Sequence, residues 1–481
     1  MLLNITKSLV IACVLLAVAS PALGADDLSL IEAVRNRDSR AVATLVAEKV
    51  DVNATQPDGA TALHWAAQWD DVSMAELLIR AGALADVAND YGATPLSMAA
   101  LNGSESMVEQ LLEAGAPPNT ALPSGETALM TAARSGSVEV VKVLVAAGAN
   151  VNATELALGQ TALMWAVAER HMDVAQTLVE SGANPGARSA SGFTPLLFAA
   201  RMGDRDLVRF FLEKGADINE TAEDGTTPLA VATVRGHAAL AEWLLDRGAD
   251  PNKDTIGYAA LHWAAGTFDT RSTHEYTTED GEWEALAGIP NRDTKLSLIH
   301  ALLAHGADVN ARVKSRMPRF GYSLGGGFIT GGGSYVGATP FFLAATVGDT
   351  EIMRLLLANG ADPLLATKDG TTPLMAAAGI SFVEEETSAT ESQLLDALKL
   401  TMKFGNDLNA ANAAGSTALH ATAYVGFNVI AQFLVDQGAV VNARDKAERT
   451  PLTIAAGIPR LGMFFSQPET EELLRTLGGI E

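Results

Sequence analysis

The sequence predicts an all-α chain that grows by repetition, a stack of about twelve helix–turn–helix units with finger loops between them. Three observations predict it. A seven-residue phrase recurs: TALHWAA from Thr61, TPLSMAA from Thr94, TALMTAA from Thr127, TALMWAV from Thr161, TPLLFAA from Thr194 and TPLAVAT from Thr227, with successive starts 33 or 34 residues apart. Most units close about 15 residues after the paired alanines with a Gly-Ala-Asp/Asn phrase, such as GADIN at Gly215, GADPN at Gly248 and GADVN at Gly306. Finally, 481 residues are too many for one core of ordinary size, and 48% hydrophobic residues are too many for disorder.

The first 24 residues form a separate object. Lys7 supplies a positive n-region, SLVIACVLLAVA (Ser8 to Ala19) an apolar stretch, and Ala22-Leu23-Gly24 small residues before a mature start at Ala25. The expectation is a secretory signal peptide over 1–24, with an apolar part too short to span a bilayer. A lipoprotein needs a longer apolar stretch ahead of Cys13 than this chain has. Cys13 is the only cysteine, so the mature chain has no disulfide staple and must hold together by packing. This fits a periplasmic or secreted bacterial protein, and no later segment is apolar for long enough to be a membrane helix.

Residues 25–56 lack the recurring phrase but keep two helical patterns and DVNAT, as a capping repeat at the N-terminal end of a stack would. Regular repeats fill 57–265. In each, the threonine caps the first helix, and Pro95, Pro195 and Pro228 occupy first-turn positions that need no N–H donor. The paired alanines let two helices approach closely. An apolar second helix follows, as in VSMAELLIRAG (Val72 to Gly82), and its glycine ends it in a left-handed conformation. A polar stretch such as DYG (Asp90 to Gly92) then turns the chain into the next unit. Further copies start at Ala259, Thr339, Thr372, Thr417 and Thr450.

This arrangement resembles the ankyrin repeat: helix, turn, helix, then a hairpin-like finger. The resemblance covers about 25–481. It implies a solenoid whose stability is a sum of repeat and interface terms. It also implies a function: binding another protein, with no catalysis and no cofactor. His64, His262 and His420 stand at the fourth position of the phrase, where ankyrin repeats use histidine for hydrogen bonds within and between repeats.

Four insertions break the period. Relative to the regular units, 26 surplus residues lie between Ala265 and Gly306, 21 between Gly306 and Thr339, and 12 between Ala378 and Gly405. A further surplus is GIPRLGMFFSQP (Gly457 to Pro468) in the last unit. Three of these enter through Ala-Gly between the two helices of a repeat, and the resemblance implies that they share the edge opposite the fingers. The second falls in a finger. The chain thus divides at 266–338, an interrupted repeat with two insertions, and 339–481, C-terminal repeats with two more. The finger insertion contains SLGGGFITGGGS (Ser323 to Ser334), but no lysine follows the glycines as a phosphate loop requires. It reads as a finger extension, with Phe328 and Ile329 at its centre available to a partner.

Other chemistry is sparse. His274-Glu275 lacks the second histidine of a zinc-protease helix, and His300 and His305 are spaced too far apart to stack on one helix face. No nucleophile elbow appears. An enzyme or metal site around His274, Glu275, Glu279 and Asp280 is the alternative reading, and an exported effector acting on a host protein is another. Trp65, Trp165 and Trp263 share one register with Met98, Phe198, Val231 and Leu343, and so belong to the core. Trp69 stands apart near the end of a first helix, where the resembled fold borders its concave groove. Arg134, Arg170, Arg201 and Arg235 fall in the same short stretch of four successive repeats, seven to nine residues after the opening threonine. The net charge is −24, which repels nucleic acid and anionic membranes. Against that background the arginines, with Trp69, Phe328 and Ile329, form the expected binding surface of a monomer for a protein with an acidic face.

Overall fold

The computed structural model describes residues 29–255, 257–266, 291–314, 335–380, 389–460 and 463–481. The expected signal peptide, the Gly-rich run with Phe328 and Ile329, and His274, Glu275, Glu279 and Asp280 lie outside them. The described residues hold twenty-four helices arranged as twelve consecutive pairs. Two compact units divide them, Met1–Asn184 and Pro185–Glu481.

The first unit contains five helix pairs, from Ser29–Arg35 with Ser39–Ala47 to Ala162–Ala168 with Met172–Glu180. First helices stack on first helices and second on second. Ala66, Ala67, Ala99, Ala100, Ala132 and Ala133 are completely buried where the helices meet, as their small size permits. Thr94, Thr127 and Thr161 each accept the backbone N–H of the residue three further on, so the phrase's threonine is a true cap. The finger between repeats is a hairpin, with Asn89 N–H donating to the Ala93 carbonyl and Leu122 N–H to that of Glu126. Fingers also bond to one another, through Asp90 N–H to the Asp58 carbonyl and Leu156 N–H to that of Ser124. The 34-residue spacing at Thr161 is absorbed by buried Glu155, whose carboxylate accepts N–H groups of Ala157, Leu158 and Gln160 in a widened turn.

The second unit contains seven pairs, from Pro195–Met202 with Arg205–Glu213 to Pro451–Ala456 with Pro468–Thr476. It adds two short antiparallel ribbons to an otherwise all-α fold. One, Asp254–Thr255 with Tyr258–Ala259, is the finger shortened by the 32-residue spacing. The other, Ile458–Arg460 with Met463–Phe465, is the last insertion, lying between the two helices of its repeat as expected. The insertions after Gly266 and Ile380 also leave from a first helix and return into a second, Arg292–Ala304 and Glu391–Lys403. The finger insertion leaves a closed base, where Val313 N–H donates to the Ala338 carbonyl and Gly337 N–H to that of Val313.

An asparagine ladder that the sequence reading passed over ties successive repeats together. In the first unit Asn53, Asn119 and Asn152 donate Nδ2 to the carbonyls of Gly82, Gly148 and Gly182. The same side chains accept the N–H of Leu84, Asn150 and Asn184. Asn219, Asn252, Asn310, Asn409 and Asn442 repeat the clamp in the second unit. Each is the final residue of the Gly-Ala-Asp-x-Asn phrase or its equivalent. A side-chain amide has both a donor and an acceptor, so one residue satisfies two main-chain groups of its neighbour.

Candidate protein-interaction surface

The ends of the first helices carry the predicted residues. Their geometry follows from one backbone requirement: nine residues after the phrase begins, the chain must adopt a left-handed conformation to enter the second helix. Gly103 and Gly136 supply it in two repeats of the first unit, but Arg37, Asp70 and Arg170 occupy the same register with φ of 56°, 54° and 63°. A side chain there costs about 1–2 kcal/mol relative to glycine, less for Asp. Asp70→Gly should therefore stabilise the protein by up to about 1 kcal/mol, measured by urea denaturation.

Trp69 caps the C-terminal end of the helix Ala62–Gln68 and is 41% exposed. Its ring lies 6.1 Å from that of Trp65, and the Arg37 guanidinium sits over it, 5.0 Å from the centroid. Trp65 is buried and held by an Nε1–H bond of 3.0 Å to Gln56 Oε1, with Arg35 stacked on it at 4.7 Å. Arg134 ends the helix Ala128–Ser135. Its guanidinium bonds Glu126 Oε1 at 3.1 Å and stacks on Trp165 at 4.7 Å. The charge of Arg134 is thus met by a carboxylate within the chain, while its side chain is 37% exposed. Trp165 and Met98 are half-buried rather than core, whereas Trp65, Trp263, Phe198, Val231 and Leu343 are buried as expected. Arg170 is exposed in the left-handed turn.

In the second unit Arg201 ends the helix Pro195–Met202 and Arg235 caps Pro228–Val234, both half-buried. The Arg201 carbonyl accepts Nε2–H of His237 at 3.0 Å, just as the Arg134 carbonyl accepts that of His171 at 3.1 Å in the first unit. Each of these histidines precedes a second helix and reaches back one repeat to fix the residue seven positions into the phrase. Sequence reading missed both, although Gly236-His237 marks the register.

His64, His262 and His420 make the bonds expected of them. Nδ1 of His64 accepts the N–H of Thr61 at 3.1 Å, and Nε2–H donates to the Ala93 carbonyl at 3.1 Å. His262 bonds Ala259 N–H at 3.0 Å and the Ala311 carbonyl at 2.9 Å. His420 does the same with Thr417 and Arg449. Burial lowers all three below the usual imidazole range, His262 to about 4. Among the described residues, no group of three or more His, Cys, Asp or Glu side chains is placed to hold a metal ion.

Sequence comparison gives the same reading as this geometry. The model described as "Ankyrin repeats (3 copies)" matches 30–122, 116–189, 157–222 and 196–271, about half of the chain, and "Ankyrin repeat" matches 336–368 and 414–446. The chain belongs to the ankyrin repeat family. Ankyrin repeats are generally protein–protein interaction modules. The chain is 32% identical over 123 residues to the B-cell lymphoma 3 protein homolog of Mus musculus, covering 25% of each protein. It thus spans about a quarter of the length of that relative. The human ASB11 ankyrin repeat domain aligns at 28% identity and a TM-score of 0.42, over 46% of this chain and 98% of that one.

The ankyrin register also explains how the longest insertion is anchored. Lys295, in the helix that follows it, donates Nζ to the Gly266 carbonyl at 2.8 Å, and burial lowers its pKa to about 8. Arg292 bridges to Asp349 at 2.9 Å and Glu351 at 3.2 Å in the next repeat. Burial alone would raise the Asp349 carboxyl, but the bonds from Arg292 and Ile352 N–H outweigh it and hold it below the usual range. No helix of the described residues is long and apolar enough to cross a membrane.

Proposed function

We propose that this protein is an exported, non-catalytic ankyrin scaffold that binds another protein through the exposed ends of its first helices. The observation that supports it most is the placing of arginine and indole there: Trp69 and Arg170 are exposed at the first-helix turns of a chain whose net charge is −24. A guanidinium in that position favours a partner with an acidic surface, which it can bind through two parallel hydrogen bonds. Arg134, Arg170, Arg201 and Arg235 are the arginines that support this reading. Export rests on Lys7, the apolar run and Ala22-Leu23-Gly24.

Two measurements test the reading. The mature protein from the cell envelope should begin near Ala25 on N-terminal sequencing; an intact Met1 there would contradict export. Crosslinking in cells followed by mass spectrometry should recover one discrete partner. Replacing Arg134, Arg170, Arg201 and Arg235 with glutamine should then weaken its capture and flatten the salt dependence. Unchanged capture by the folded variant would move the binding surface to the fingers or insertions.

A further inference from the structure

We propose that Arg35 and Arg37 form a paired carboxylate receptor for an extended acidic peptide segment with acidic residues at alternate positions. The inference rests on the binding reading above and names the partner's chemistry. Each guanidinium lies over an indole of the following repeat, Arg35 over Trp65 and Arg37 over Trp69. A guanidinium held over a ring by cation–π attraction still has N–H donors to offer a carboxylate. Both side chains are exposed, and among the described residues neither has a carboxylate partner. By contrast, Arg80 pairs with Glu76, Arg134 with Glu126, Arg449 with Asp445 and Arg475 with Glu471. Nearby carboxylates are engaged elsewhere or exposed. Asp38 and Asp71 cap their helices, accepting N–H from Ala41 and Met74, while Glu32 and Asp70 face solvent.

The receptor is built before any ligand arrives. Gln56 fixes Trp65, Trp65 packs on Trp69, and the indoles order two side chains that otherwise lose rotamer entropy on binding. The 6.1 Å between the indoles is close to the roughly 6.7 Å between alternate side chains of an extended strand. Two carboxylates on one side of such a strand are spaced on the scale of the indole pair that carries the two guanidiniums. Exposed Trp69 offers the intervening apolar contact. A second observation is independent of the stacking. Arg37 adopts the left-handed conformation that Gly103 and Gly136 adopt at the same register, so the fold does not call for arginine there. Asp70 and Arg170 also occupy this register, so the turn accepts a side chain, and at Arg37 that side chain is the guanidinium that meets Trp69.

The test uses the full purified chain and a fluorescein-labelled (Glu-Ser)4 peptide, followed by fluorescence anisotropy. Binding should weaken at least tenfold in Arg35→Gln/Arg37→Gln and stay within twofold in Arg80→Gln. A peptide of the same composition with its glutamates in one block should bind more weakly than the alternating one. Arg37→Gly separates function from folding, because it should weaken binding while leaving the melting temperature unchanged or higher. Four results would overturn the inference: no binding by the unaltered chain, a double variant within twofold of it, no preference for alternation, or binding only of a phosphoserine peptide. Partner capture in cells that survives Arg35→Gln/Arg37→Gln would sink this inference alone, whereas failure to capture any protein removes the scaffold reading.

Discussion

Lowering the pH from 7 to 4 should strip roughly 3 kcal/mol from the repeat around His262 alone. His262 is completely enclosed, and its Nδ1 faces the N–H of Ala259 while Nε2–H binds the Ala311 carbonyl. Only the neutral Nε2–H tautomer fits. A proton on Nδ1 would point at an N–H donor, and the charge would sit in a desolvated site. The folded state therefore holds the imidazole neutral down to about 4, from an unperturbed 6.5, with Asp308 the main carboxylate opposing that shift. Between those values the unfolded chain binds more protons, so stability falls as the pH drops from 6.5 and levels off below 4. His64 and His420, lowered for the same reason, add to the loss. Asp349 and Asp445 are held below 3.8 and contribute beneath that window. Glu220, raised by burial, acts in the opposite sense and offsets a little of the loss. Urea denaturation at pH 7 and pH 4.5 checks this. His262→Gln should be less stable at pH 7 and show a shallower pH dependence; an unchanged slope would contradict the assignment.

Gly203→Ala should cost about 2–3 kcal/mol, against roughly zero for alanine at an exposed helix position. Two effects combine. Gly203 has φ of 68°, where a Cβ costs about 1–2 kcal/mol. The new Cβ would also lie 2.5 Å from Nδ1 of His237. That ring would have to swing away and release the Arg201 carbonyl, a hydrogen bond worth about 1 kcal/mol. The measurement is the denaturation midpoint of Gly203→Ala beside His237→Ala and the double variant. The two changes should be less than additive, because the second finds the bond already broken. Full additivity would mean that the glycine and histidine act independently.

Architecture was legible because repetition multiplies weak signals. One TPLH-like phrase says little, but eleven copies, the first seven of them 32 to 34 residues apart, specify helix starts, caps and close-packed alanines. Insertion sites were legible for the same reason, as departures from a known period. Relations between repeats were not. The asparagine ladder, His171 and His237 act on main-chain atoms 29 to 54 residues away, and nothing local in the sequence announces that reach. Arg35 and Arg37 were overlooked because the capping repeat lacks the phrase that aligns the others. Arg134 was visible as a positive charge, but its neutralisation by Glu126 depends on a finger residue folding back over the helix end. Trp165, placed in the core by register, is half-buried, because register alone does not separate it from the buried Trp65 and Trp263.

The most direct test of the protein-binding surface is site-specific photocrosslinking in cells. A photoreactive residue replacing Arg170, at the end of a first helix, should capture a discrete protein; one replacing Glu76, on a second helix, should not. Capture from Glu76 but not from Arg170, or from neither position, would contradict the account.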